Sequence, residues 1–254
     1  MERAATILAA TAFLALGATA LKASPAPQGA TPKYLTEAVA DKARPAADTE
    51  RDASRKPAET LAFAGVKPGD AVVELAPGKG YYTRILSAAV GAKGSVTTVS
   101  SVPKPDAPPP PVKAIAADPH YANVHPTFQK LGEIKLPPNT DVVWTTQNYH
   151  DFHNIPDVNV ATLNKTVFDA LKPGGVYFVL DHSAEAGSGT RETNNTHRID
   201  EETVKQEVKA AGFELAGESD LLRNKDDPRT GKVFEPPIQG HTDQFILKFV
   251  KPKK

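Results

Sequence analysis

The chain has 254 residues, with 30 Lys+Arg against 30 Asp+Glu, 40% hydrophobic and 24% charged residues, and no cysteine. That length and composition suit one large or two small globular domains with a substantial core, and they exclude disorder throughout. Balanced charge argues against a nucleic-acid partner, and the lack of Cys excludes disulfide scaffolds, zinc fingers, iron–sulfur clusters and thiol catalysis.

In chain order, Arg3 gives a short positive start, and Ala4 to Leu21 is uncharged and mostly apolar. Small-residue exits follow at Ala18-Thr19-Ala20 and Leu21-Lys22-Ala23. This is the layout of a secretory signal peptide over residues 1–23, which predicts a periplasmic or secreted protein with no stable membrane insertion after cleavage. A membrane anchor is the competing reading, but an Ala-rich stretch lacks the Leu and Ile density of a span. Residues 24–56 read as a Pro/Ala linker and an N-terminal helical extension, with helical patches over Leu35 to Arg44, stopped by Pro45, and after Asp48. The main domain is placed at 57–254, opening on a helix from Pro57 through Leu61 to Gly65.

Elements then alternate. Ala71 to Leu75 is a short β-branched strand, Tyr81 to Val90 a helix, and Ser95 to Val99 a second strand. Val102 to Val112 carries six prolines and reads as an extended external loop. Asn123 to Phe128 and Asp141 to Thr146 follow as strands, then a helix over Val158 to Leu171 with Val160, Leu163, Val167, Phe168 and Leu171 at helical spacing. Lys172-Pro173-Gly174-Gly175 reads as a turn before the strand Val176 to Leu180. Asp200 caps a helix through Ala211, and Phe213 to Ala216 and Gln244 to Val250 finish the sheet, the latter in the manner of an edge hairpin. Strands separated by helices predict an α/β fold: a three-layer sandwich with a mostly parallel, doubly wound sheet and an antiparallel last strand.

The most informative stretch is Val72 to Thr83, a strand, a Gly-bearing turn and a helix. Glycines let backbone approach a ligand, and the helix N-terminus offers unpaired N–H groups. An ordinary βα turn also needs glycine, so the motif alone leaves a ligand site and a plain turn both open. A dinucleotide fingerprint fails here, since Tyr81, Tyr82 and Thr83 follow Gly80 and the second strand ends in Ser100-Ser101; a phosphate loop fails too. What the stretch resembles is the first motif of class I S-adenosylmethionine-dependent methyltransferases: Glu74, Gly78 and Gly80 match, with Ala76 where the first glycine is usual. Asp141-Val142-Val143 resembles the fourth-strand motif, Leu171 to Gly175 the turn before the fifth strand, and Gln244 to Phe249 the final antiparallel strand. More narrowly, the Tyr149-His150-Asp151-Phe152-His153 and Thr196-His197-Arg198-Ile199-Asp200 segments resemble a family of predicted methyltransferases that carry N-terminal export signals.

The resemblance implies S-adenosylmethionine as cofactor, cradled by Glu74, Ala76, Pro77, Gly78 and Gly80. Of Tyr81 and Tyr82 one packs and the other lines the pocket, and Tyr81 is placed there. Glu133 stands where the family has an acid near the adenine, and Asn148 follows the fourth-strand motif. The acid that holds the ribose hydroxyls in the family is missing, replaced by Ser100 or Ser101; a serine is a weaker acceptor than a carboxylate.

Histidines form the second constellation. His150 and His153 follow one strand and His182 the next, at the sheet edge that also carries Gly78 and Gly80; His197 and His241 lie in polar loops, and His120 and His125 look incidental. With Asp151, Asp181 and Asp200 they make a polar cluster. Three readings stand: surface histidines without a role, acid/base catalysis, and a metal site. For catalysis, His150 and His182 are the candidate bases, Asp181 orients one of them, and His153 and His197 complete the set. Arg198 either pairs with an anionic group or makes a surface salt bridge. The leading expectation is methyl transfer from S-adenosylmethionine to oxygen or nitrogen of a small-molecule substrate. The alternative is an exported protein that binds a metal or small ligand on a degenerate form of the same fold.

Overall fold

A β-branched strand serves two cores by alternation, and β1 (Ala71–Leu75) does so: Val72 joins the core on one face of the sheet, Val73 and Leu75 the core on the other. The structure, a computed structural model, describes residues 30–236 and 238–253; the expected signal peptide and the linker as far as residue 29 lie outside the described residues. Further strands are β2 (Ser95–Ser101), β3 (Val124–Gln129), β4 (Thr140–Thr146), β5 (Leu171–His182), β6 (Glu214–Ser219) and β7 (Gln244–Val250). Among the described residues these form one seven-stranded sheet in the order β3-β2-β1-β4-β5-β7-β6. β1 to β5 run parallel, and β7 inserts antiparallel between β5 and β6. The α/β three-layer expectation holds.

Four short helices precede β1: α1 (Lys33–Val39), α2 (Ala46–Thr49), α3 (Asp52–Arg55) and α4 (Pro57–Ala64). Then come α5 (Tyr81–Val90), α6 (Pro111–Ala117), α7 (Tyr149–Phe152), α8 (Val160–Ala170) and α9 (Glu201–Ala210). Leu35, Leu61, Ile85 and Ile115 bring α1, α4, α5 and α6 onto the face of Val72 and Trp144. Phe152, Leu163, Val167 and Val204 bring α7, α8 and α9 onto the opposite face. Trp144 stacks on Phe178 with ring centroids 4.0 Å apart and centres the first core. Among the described residues no helix is long and apolar enough to cross a membrane.

Four local expectations change. The helix expected over Leu35 to Arg44 ends at Val39, because Arg44 turns inward to hold Asp52 with paired bonds of 2.7 and 2.8 Å. The proline run is a loop only as far as Pro110: Pro111 starts α6, a first-turn position where its missing N–H is not needed. Leu171 to Gly175, expected as a turn, belongs to β5: Leu171 pairs with Thr140 across an irregularity, and the Gly174 N–H donates to the Lys251 carbonyl at 2.8 Å. β7 is an interior strand, almost wholly buried, and β6 is the edge.

Candidate functional site

The strand order reverses between β1 and β4, which opens a crevice at their carboxyl ends where ligands bind in sheets of this kind. The turn after β1 sits there. Ala76, Gly78 and Gly80 all take left-handed backbone, at φ 51°, 58° and 82°. Gly80 is also crowded: a Cβ there would stand 2.1 Å from Ile115 Cδ1, so the Ile115 side chain would have to move. Gly78 is the opposite case: a Cβ would meet nothing within 4 Å, so its backbone faces open space. Behind the turn, α5 begins without a side-chain cap, leaving its first N–H groups for a ligand. Glu74 is buried beneath, and its carboxylate accepts the Thr83 hydroxyl at 2.5 Å. Burial pushes the Glu74 carboxyl up to about 7, with the Thr83 hydrogen bond opposing. An apolar recess lined by Leu75, Val99, Leu131 and Ile134 flanks the turn. The free N–H groups of the turn and helix start suit a polar ligand.

The other expected cofactor contacts divide. Ser100, half-buried, is the last residue but one of β2, just past the end of its pairing with β1, and Pro77 opens the turn, its carbonyl accepting the Gly80 N–H at 2.9 Å. The Asn148 amide donates to the carbonyls of Ala76 at 3.0 Å and Thr146 at 2.5 Å, so it ties the ends of β1 and β4 together. Glu133 points into solvent beside Lys130. Tyr81 and Tyr82 are both buried. The Tyr81 hydroxyl donates to Asp52 at 2.7 Å, under the guanidinium groups of Arg44, Arg51 and Arg55, so this ring docks the N-terminal extension onto α5.

The histidines come together in part. α7 brings His150 over the end of β5, where its Nδ1 lies 2.8 Å from Asp181 Oδ1 and its backbone N–H donates to Oδ2 at 2.8 Å. Its Nε2 lies 3.3 Å from Asp151 Oδ1, and His197 Nδ1 lies 3.5 Å from the same oxygen. Burial opposes charge on His150, but Asp181 and Asp151 outweigh it and hold the imidazole up at about 10. Burial likewise opposes charge on Asp181, and His150 overrides it to hold the carboxyl below its ordinary value. His182 is the reverse: burial pushes it down to about 4, and its Nδ1 lies 2.7 Å from Thr242 Oγ1. His153 turns away and pairs with Glu207 of α9 at 3.2 Å. His120 binds Asp41 at 2.7 Å, away from this edge.

Arg198 pairs with an anionic group, but the group is a buried carboxylate of the chain itself and the pair is no surface bridge. Arg198 is fully buried and paired with Asp227, at 2.8 and 3.1 Å. Asp200 caps α9 through the Glu202 N–H at 3.2 Å. Two polar residues of this edge escape sequence reasoning. Gln147, in left-handed backbone, accepts from Arg55 at 2.5 Å and donates to Gln244 at 2.9 Å, which links the extension to β7. No periodicity or motif marks Arg55 or Gln147, because the contact joins residues 92 apart in the chain.

No protein-family model matches the chain, and no curated protein matches it. Solved structures do. A methyltransferase dependent on S-adenosylmethionine from Aquifex aeolicus is 17% identical, with a TM-score of 0.54 over 78% of this chain and 89% of that one. Another such methyltransferase, from Mesorhizobium loti, is 17% identical with a TM-score of 0.54 over 78% of this chain and 97% of that one. A (4+2)-cyclase, SpnF, is 18% identical with a TM-score of 0.56 over 87% and 92%. The likeness establishes the Rossmann-like methyltransferase fold; the cyclase shows that this fold also serves a protein named for another reaction.

Proposed function

We propose that the protein is a methyltransferase that uses S-adenosylmethionine to methylate oxygen or nitrogen of a small molecule. The observation that carries this reading is the turn after β1, where Ala76, Gly78 and Gly80 hold left-handed backbone over buried Glu74 and in front of an uncapped helix. Glu74, Ala76, Gly78, Gly80 and Ser100 would hold the cofactor. The cofactor supplies an activated methyl group when bound. The chain supplies position, which is worth several kcal/mol in a two-reactant step. His182 is uncharged at neutral pH because burial holds it down at about 4, which makes it a weak base there, so positioning rather than proton transfer carries the proposed reaction.

Calorimetric titration of the purified chain with S-adenosylmethionine and S-adenosylhomocysteine tests the reading. Micromolar binding is expected. Ser100→Asp restores a carboxylate for the ribose hydroxyls and is expected to tighten binding by about tenfold, since a charge-assisted hydrogen bond is roughly twice as strong as a neutral one. No heat at millimolar cofactor, for both the chain and the variant, would remove the proposal.

Export belongs to the same proposal, on the layout of residues 1–23. N-terminal sequencing of the cellular protein is expected to start near Ser24. A retained Met1 in the fully folded pool would overturn it.

A further inference from the structure

We infer that His150, Asp151 and His197 form a binding site for a divalent transition-metal ion, with Asp181 orienting His150 from behind. This stands apart from the methyl-transfer proposal, because neither the cofactor nor the glycine turn enters the argument.

One donor atom from each of the three residues lies within 4.8 Å of the others, and Asp151 Oδ1 sits 3.3 Å from His150 Nε2 and 3.5 Å from His197 Nδ1. Ligands at about 2.1 Å from a tetrahedral or octahedral ion are separated by roughly 3.0–3.4 Å, so the two spacings to Asp151 are within a few tenths of an ångström of those a shared ion requires. Two imidazoles and a carboxylate suit zinc, iron(II) or cobalt(II), and three protein ligands leave a position open for a small molecule.

The arrangement behind the ligands is specific as well. His150 is held twice by the fully buried Asp181, through its backbone N–H and through Nδ1. With the Nδ1 hydrogen directed at Asp181, Nε2 is the nitrogen that faces Asp151, and a metal-bound histidine is oriented in this way by a carboxylate. His197 takes left-handed backbone at φ 56°, an uncommon conformation for a residue with a side chain, and its neighbours are locked: Arg198 is buried and the Thr196 hydroxyl donates to the Glu192 carbonyl at 3.1 Å. Two carboxylates therefore converge on one buried imidazole, and an ion bound between Nε2, Asp151 and His197 replaces the proton that Nε2 otherwise shares with Asp151. Asp151 and His197 are partly exposed, so an ion can enter from solvent, beside the ring of Phe234, whose centroid is 5.0 Å from that of His197.

The test uses the full chain, stripped with chelator and free of any histidine tag, titrated with zinc chloride and, separately, cobalt(II). One equivalent is expected to bind, and cobalt to give a visible ligand-field spectrum. His197→Ala and Asp151→Asn should each weaken zinc at least about a hundredfold and abolish the cobalt spectrum. Asp181→Asn should weaken zinc by about 10–100-fold, the usual effect of losing an orienting carboxylate. His153→Ala, whose ring pairs with Glu207, should bind as the parent does. Circular dichroism checks folding, and the two partly exposed ligand positions are the variants expected to keep it. Failure of the folded parent to take up one equivalent, or uptake that survives both His197→Ala and Asp151→Asn, overturns the site.

Discussion

Replacing Glu74 with Gln is expected to stabilise the fold at pH 8, to leave it nearly unchanged near pH 4.5, and to weaken binding of the proposed cofactor. The carboxyl is almost wholly buried, one hydroxyl serves it, and it sits at about 7 against an ordinary 4.5. Between those values the unfolded chain is ionised there while the native chain keeps its proton. Unfolding then releases a proton, so this group makes stability fall as pH rises from 4.5 to 7, and its effect is constant above. The offset corresponds to about 3 kcal/mol. An amide of the same shape carries no such penalty. Its new N–H groups need an acceptor, and Thr98, opposite Glu74 in the sheet with its buried hydroxyl unpartnered among the described residues, is placed to provide one. Unfolding in urea at pH 5 and pH 8 reads the difference. An equal change at both pH values would show that the carboxyl is not held protonated by burial. A buried acid kept at that cost under a ligand turn fits a binding role, and loss of cofactor affinity in the same variant is the second half of the prediction.

Much of this architecture is legible in the sequence because the strands that build it are short, β-branched and separated by helices of ordinary length. Val72 and Val73, Val142 and Val143, and Val176 to Leu180 announce themselves by composition, and the glycines after Leu75 mark the turn. What stays hidden is set by partners distant in the chain. α7 spans four residues, too few for periodicity to reveal, yet it decides that His150 faces Asp181 while His153 faces Glu207. Their three-residue spacing does not distinguish them. Likewise Lys172 to Gly175 has the composition of a turn, but Gly174, at φ 79°, bonds to the Lys251 carbonyl next to β7. The order of β7 and β6 also depends on tertiary pairing, so alternation in Gln244 to Val250 is not enough to tell interior from edge.

Arg198 is the strongest instance of such hidden pairing, and Arg198→Met is expected to cost about 3–5 kcal/mol, the range for removing one partner of a buried ion pair. Its guanidinium is fully buried and donates to the carbonyls of Gly231 at 2.8 Å and Ser183 at 2.9 Å as well as to both oxygens of Asp227. Asp227 in turn accepts backbone N–H groups of Asp243 at 2.6 Å and Arg229 at 2.9 Å. Burial would raise the Asp227 carboxyl, but Arg198 and these donors hold it below its ordinary value. One side chain therefore pins β5 to the loop between β6 and β7. Without it, a buried carboxylate remains with no cation, and folded domains have only about 5–15 kcal/mol in total. Arg198→Met with Asp227→Asn removes the stranded charge and keeps an acceptor for one of the two backbone donors, which bond to different oxygens of Asp227, so the double variant is expected to be more stable than Arg198→Met alone. Urea unfolding of the four proteins gives the coupling, and a loss below about 1 kcal/mol for the single variant would refute the pairing as a stability determinant. The double variant still lacks the four hydrogen bonds that fix residue 198. His197, one residue away in strained backbone, then loses its anchor, and zinc uptake is expected to stay impaired in the double variant even where stability returns.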